Sequence, residues 1–435
     1  MRRSSLFGFD IILLSSTFLL VILGIFFIFS SGVTATGEIY STEYIKQIVW
    51  AVTGLIWLLF LTFSNYRNMK NLAPTIYIIF IILLFITLSF GKVVNGAKSW
   101  LGIGDFGIQP SEFAKISTII FLAFYLQTIG SNIRKLRFFL IGLLIIMVPV
   151  GFIIIQPDMG TSLVYFPVFL TMAFLAGAKV RHIFFLILLT CCTTILTILP
   201  YLEEMIMGIQ YPVFTILKKP EFLLFSLLGI GLIFAVSLWG LMIFKKRYFY
   251  WIIYGSSILA GSSICSFGAH MVLKDYQVMR LISFINPYID PRGTGWNIIQ
   301  SITAVGSGGV WGKGFLQGTQ SHYQYLPQQS TDFIFSIIAE ELGFFGGFII
   351  LVLYLVILLR GVQILSNTND KFGLLLGSGI LAMILFHLFV NIGMAMGIMP
   401  ITGIPLLFLS YGGSSLWTAL IGIGILLNLS FKQYR

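Results

Sequence analysis

The sequence predicts an all-α, polytopic integral membrane helical bundle, and three observations carry that prediction. Hydrophobic residues make up 58% of the 435-residue chain and charged residues only 9%, against about 25% charged in an ordinary soluble domain. Apolar runs of roughly 18 or more residues, long enough to cross a hydrocarbon core, recur along the whole length. Lys and Arg gather in every second connecting loop, the pattern that membrane insertion produces.

Twelve spans are expected, and each has a local reason. The first, 11–31, follows Arg2-Arg3, and its apolar core of roughly 20 residues exceeds the 7–15 of a cleaved signal segment, so it reads as an uncleaved span. Spans 46–63 and 73–90 flank the basic loop NYRNMKN. The next, 112–128, begins after Gln109-Pro110-Ser111, with proline at home beside a helix start. Span 137–155 follows the basic SNIRKLR, and 161–178 follows the turn Gln156-Pro157-Asp158. Spans 183–200, 222–244 and 249–270 come next, then 344–360, 373–399 and 413–431.

With the N-terminus inside, the inner loops hold most of the 26 Lys and Arg, from Arg2-Arg3 through Arg134-Lys135 and Lys245-Lys246-Arg247 to Arg435. Of the 15 Asp and Glu, only Asp10 and Asp370 fall inside. Both termini are therefore expected in the cytoplasm. A pI near 9.5 does not point to nucleic acid, because the positives are scattered at membrane edges rather than gathered on one face. Cys191, Cys192 and Cys265 all fall in spans and form neither a disulfide framework nor a zinc pattern. The four histidines lack metal-ligand spacing, so no metal-ligating residue is assigned. No fixed-period repeat is visible.

The whole chain, 1–435, reads as one multi-pass domain in which 271–343 is a large extracytoplasmic loop. That polar, Gly-rich segment is far longer than a helix connection needs, which marks it as functional. Asp290 lies in Asn286-Pro287-Tyr288-Ile289-Asp290-Pro291-Arg292-Gly293, where two prolines brace the turn that presents its carboxylate. It is either a surface Asp-Pro turn or a general base. The run Ala304–Gly314 can bring backbone amides and Lys313 to a phosphate, or serve as a flexible re-entrant loop. It is not a Walker A loop. Glu112 and Lys115 stand i,i+3 at the outer start of a span and can pair on one helix face. Ionisable groups at membrane depth are functional by default, with a structural ion pair as the alternative. Asp158 can cap the next span, and Trp100 beside Lys98 can be an interfacial aromatic.

On these residues the chain resembles the SEDS family of shape, elongation, division and sporulation proteins. The matching pieces are NGAKSWL, QPSEFAK, QPDMGTSL, KDYQ with DPRGTGWNIIQS, AVGSGGVWGKG, GTQS, TDFIF with EELG, and PITGIPLLFLSYGGSS. They occur in family order across nearly the whole chain. GTQS and DPRGTGWNIIQS are closer to the elongation branch, the RodA proteins, than to the division branch, the FtsW proteins. The chain departs from the family pattern at Gln328 and Ser330, and its two spans near 183–244 exceed the family's ten-span core.

The resemblance implies a peptidoglycan glycosyltransferase. Its substrate is lipid II, which it polymerises at the outer face of the bacterial cytoplasmic membrane for cell elongation, releasing undecaprenyl pyrophosphate. It further implies Asp290 as the catalytic residue and Glu112, Lys115 and Asp158 as site residues. Trp100, Arg280, Lys313, Gly308 and Gly309 are candidates for substrate binding. Positive charge at the leaving pyrophosphate is expected from Lys or Arg or from a divalent cation, Mg or Mn, with no organic cofactor. A class B penicillin-binding protein, a transpeptidase, is the expected partner alongside membrane lipid, and no nucleic acid is expected. A lipid II flippase, a division-type polymerase and a non-catalytic scaffold are the alternative readings.

Overall fold

The computed structural model describes residues 10–94, 96–103, 106–203, 217, 219–273 and 275–433. Arg2, Arg3, Lys274 and Arg435 lie outside the described residues. In chain order the elements are α1 (Ile11–Ser31), α2 (Glu43–Phe63), α3 (Tyr66–Phe90), β1 (Lys92–Val94), β2 (Ala97–Ile103), β3 (Phe106–Ile108), α4 (Pro110–Ile129), α5 (Leu136–Ile155), α6 (Met159–Leu163), α7 (Tyr165–Leu175) and α8 (Val180–Leu202). There follow α9 (Pro220–Phe244), α10 (Arg247–Val272), α11 (Asp275–Ile285), α12 (Thr294–Ser307), α13 (Thr319–His322), α14 (Ile334–Ser366), α15 (Lys371–Ala395) and α16 (Gly413–Gln433).

Among the described residues, 11 helices are long and apolar enough to cross a membrane. The remaining expected span, 161–178, is present as the shorter pair α6 and α7, which break at Val164. The chain is thus a multi-pass helical membrane protein. Two features differ from the sequence reading. The stretch between α3 and α4 folds as a three-stranded antiparallel sheet in the order β1-β2-β3.

The second difference lies in 271–343, which is largely helical. Gly295, Ile298, Ser301, Ala304 and Gly308 are all buried at helical spacing, so α12 is an amphipathic helix whose exposed face supplies the polarity. The span expected at 344–360 also starts ten residues earlier, at Ile334. Its first turns are fully buried, and it is interrupted at Gly343 (φ 66°, ψ −158°). That φ favours glycine.

The chain forms two compact units, Met1–Ala178 with Gln300–Arg435, and Lys179–Ile299. In the first, α15 and α16 are the most buried helices. Close backbone approaches pack this unit: a Cβ at Gly424 on α16 would come within 2.7 Å of Leu58 O on α2, and one at Gly24 on α1 within 2.7 Å of Leu409 O. Small residues at such crossings are how membrane helices gain packing where water cannot drive association. In the second unit, α8, α9 and α10 pack together. Gly240 on α9 lies under the Phe249 ring of α10, and Thr197 Oγ1 on α8 donates to Ser266 Oγ on α10 at 3.1 Å.

Candidate active site

In the second unit, Pro287 opens a short 3-10 turn, Pro287–Ile289, and Asp290 ends it at φ −131°, ψ 69°. The carboxylate then turns onto the start of α12. Its Oδ2 accepts from Thr294 N at 2.8 Å and from Thr294 Oγ1 at 3.2 Å. Thr294 Oγ1 is hydrogen-bonded in turn to Ser283 Oγ on α11. Helix N-termini carry unsatisfied amides and positive potential, so the carboxylate is held where an anion is favoured. Asp290 is half-buried, and among the described residues its Oδ1 has no protein partner. Gly293 leaves room for it: a Cβ there would lie 2.2 Å from Oδ2 and 2.6 Å from Oδ1. Arg280, on α11, is exposed.

In the first unit, Glu112 and Lys115 form the ion pair that their spacing predicted, with Nζ 2.8 Å from Oε1. Both are 2% exposed. The pair has a third member that sequence reasoning missed: His387 Nε2 on α15 lies 3.1 Å from Lys115 Nζ. Glu112 Oε2, Ser111 Oγ and Tyr165 OH are buried there without hydrogen-bond partners. Beside this cluster, Asp158 caps α6 by accepting from Thr161 N and Thr161 Oγ1, and it accepts from Gln109 Nε2 at 2.8 Å. Gln109 N donates to Ser414 Oγ at 2.9 Å, and Gly160 packs against Thr402 O. The segments QPSEF, QPDMG, PITGIP and the start of α16 are thereby tied together, although they are remote in sequence.

Lys313, Gly308 and Gly309 sit elsewhere in the first unit, in a network around Glu340. Lys313 Nζ lies 2.8 Å from Glu340 Oε1, which also accepts from the amides of Thr319 and Gln320 at 2.8 and 2.9 Å. Gly308 meets Ala339 O so closely that a Cβ would come within 1.9 Å, and Phe344 N donates to Gly309 O at 2.9 Å. The Gly cluster is therefore packed against the first turns of α14. The neighbouring Glu341 carboxylate accepts from Ser30 Oγ and Leu316 N. His322 Nε2 lies 3.2 Å from Glu341 Oε1, within ion-pair range, though its nitrogen is off the line of a good hydrogen bond. Trp100 lies on β2 with its ring over Gly107 on the neighbouring strand.

Among the described residues, no three His, Cys, Asp or Glu side chains converge as metal ligands.

The sequence profile of the cell cycle protein family that groups FtsW, RodA and SpoVE matches residues 11–221 and 202–435. The chain is 47% identical over 433 residues to the peptidoglycan glycosyltransferase RodA of Treponema pallidum, with 100% of both chains covered. It is 33% identical to the stage V sporulation protein E of Bacillus subtilis over 98% of each, and 30% identical to the peptidoglycan glycosyltransferase MrdB of Escherichia coli K12 over 80% of this chain and 74% of that one. Among solved structures, a chain from a peptidoglycan synthase complex that coordinates polymerization and crosslinking superposes with TM-score 0.66 at 26% identity, covering 98% of this chain and 99% of that one. The rod shape determining protein RodA of Thermus thermophilus has the same fold, with TM-score 0.60 at 24% identity over 98% of each.

Proposed function

The chain belongs to the cell cycle protein family of FtsW, RodA and SpoVE, and on that premise we propose how its residues perform glycosyl transfer. It is a peptidoglycan glycosyltransferase of the elongation type. Its substrate is lipid II, and the reaction takes place at the outer face of the bacterial cytoplasmic membrane, with both termini inside. The 4-hydroxyl of an acceptor sugar attacks C1 of the donor, the C1–oxygen bond to undecaprenyl pyrophosphate breaks, and the anomeric centre inverts. The hydroxyl proton must go to a base as the new bond forms.

Asp290 is that base. The observation that carries the assignment is the division of labour within its carboxylate: Thr294 fixes one oxygen, and the other is free to accept a proton. An acceptor held rigidly while its second lone-pair set stays open is already positioned for proton transfer. The departing pyrophosphate needs positive charge, and Arg280, in the same unit as Asp290, is the cation assigned to it; Lys115, in the other unit, is assigned to substrate binding on its buried, half-satisfied pair with Glu112. Lys313 instead serves the Glu340 network, where the oxygen that takes its Nζ also accepts from two backbone amides. Glu112 and Asp158 hold the QPSEF and QPDMG segments in place around Lys115. No step is routed through a metal ion. A class B penicillin-binding protein crosslinks the product strands, a partnership supported by the likeness to a synthase complex that coordinates polymerization and crosslinking.

The test is polymerisation of purified lipid II by the full-length protein in detergent. Asn at position 290 keeps an oxygen for Thr294 but removes the base, so Asp290→Asn is expected to slow polymerisation by about 10²–10⁴-fold. Polymer formation at the parent rate would overturn the assignment.

A further inference from the structure

His387 is 1% exposed and makes two contacts that together fix its state. Its Nδ1 lies 2.9 Å from Pro405 O. A carbonyl oxygen can only accept, so Nδ1 carries the proton and donates. Nε2 of the neutral ring then presents a lone pair, and it faces Lys115 Nζ at 3.1 Å. An ammonium is a donor only, so the contact runs from Lys115 to His387. A proton on Nε2 would set one cation against another. The tautomer therefore follows from the partners.

The ammonium is also incompletely used. One N–H goes to Glu112 Oε1 and one to His387 Nε2, and no third partner exists among the described residues. Glu112 Oε2 is likewise buried without a partner. Buried polar groups are nearly always satisfied, so a half-satisfied buried pair marks a place where something else binds. Two fixed acceptors aim the third N–H in a set direction. A flexible four-carbon lysine stem held by Glu112 alone could rotate about that contact.

We infer that His387 is a positioning residue for glycosyl transfer. Its Nε2 lone pair aims the Lys115 ammonium, and its Nδ1–H couples that aim to the Pro400–Pro405 segment. The inference rests on the assignment of Lys115 to substrate binding, and it extends that assignment to a residue on another helix. His387 touches no reacting atom.

The test compares His387→Gln, His387→Asn and His387→Leu in the full-length protein, with kcat and KM for lipid II and thermal stability in detergent measured for each. Gln places an acceptor near Nε2 and is expected to keep kcat within about threefold of the parent. Asn reaches only the Nδ1 position and Leu neither. Both are expected to lose kcat by roughly 10–100-fold, with KM little changed, as misaimed charge costs the transition state. Adding His387→Leu to Lys115→Met should cause no further loss, because the two act as one unit. If Leu and Asn lower only thermal stability, or if Gln is as poor as Leu, the positioning role is refuted. If Lys115→Met keeps full activity, the assignment of Lys115 itself fails, which is a separate result.

Discussion

Glu340 is fully buried, yet it carries a carboxylate in the first turns of α14, and the network around it gives a quantitative expectation. Oε1 accepts from Lys313 Nζ at 2.8 Å, Thr319 N at 2.8 Å, Thr319 Oγ1 at 3.1 Å and Gln320 N at 2.9 Å. Oε2 receives only the longer contacts of Ser321 N and Oγ, at 3.4 Å each. The anion therefore does two jobs: it neutralises Lys313, and it satisfies the open amides at the start of α13. Glu340→Gln keeps one acceptor oxygen but turns an NH₂ toward the Ser321 donors and removes the charge. Losing a charge-assisted contact and opposing two donors should cost about 2–3 kcal/mol. Glu340→Ala leaves Lys313 and two amides without the acceptor and should cost roughly 3–5 kcal/mol. At about 1.4 kcal/mol per factor of ten, the Gln variant should raise the open population of residues 313–322 by roughly 30–150-fold. Limited proteolysis of the purified protein, with the cut sites mapped by mass spectrometry, reads that population when reclosing outpaces cleavage. Protection of 313–322 in Glu340→Gln equal to the parent would refute the reasoning, because the buried charge would then have no structural work to do.

Other perturbations have distinct signatures. Gly293→Ala pushes a Cβ into the Asp290 carboxylate and should cut polymerisation on the order of 10²-fold by misplacing the base, with the protein still monodisperse on size exclusion. Gly308→Ala meets the Ala339 carbonyl rather than a flexible side chain and should lower thermal stability by about 1–3 kcal/mol as an overpacking defect. The Glu341 carboxylate raises the pKa of His322 above its ordinary 6.5, with the Val33 carbonyl and Glu340 acting in the same sense and burial opposing them. Because the folded state favours the protonated ring, this contribution is complete below pH 6.5 and is lost as pH rises through the raised value. Hydrogen exchange in α13 should accordingly quicken above pH 6.5, and His322→Gln should flatten that dependence.

Much of the candidate site was legible because it depends on local spacing. Glu112 and Lys115 pair since residues three apart share a helix face, and no tertiary information is needed to see it. Pro287 and Pro291 bracket Asp290 in the sequence as they do in space. The sheet between α3 and α4 also had a signal: an Asn95-Gly96 dipeptide between Lys92-Val93-Val94 and Ala97–Ile103 is a strong hairpin cue. In 271–343 polarity coexists with helix: the buried positions along α12 recur every three or four residues, the mark of an amphipathic helix.

Sequence by itself determined the class and eleven of the expected spans, because composition and apolar run length act within a few residues of one another, and it singled out Asp290 as the residue to test through the family resemblance. Tertiary structure alone decided which charges are partnered. His387 lies 272 positions from Lys115, and Glu340 lies 27 from Lys313, so neither contact leaves a trace in local pattern. Burial makes those distant contacts decisive. In a low-dielectric interior an ionisable group must find a partner, and only the packing of α4 on α15, or of the Gly cluster on α14, determines which partner it finds.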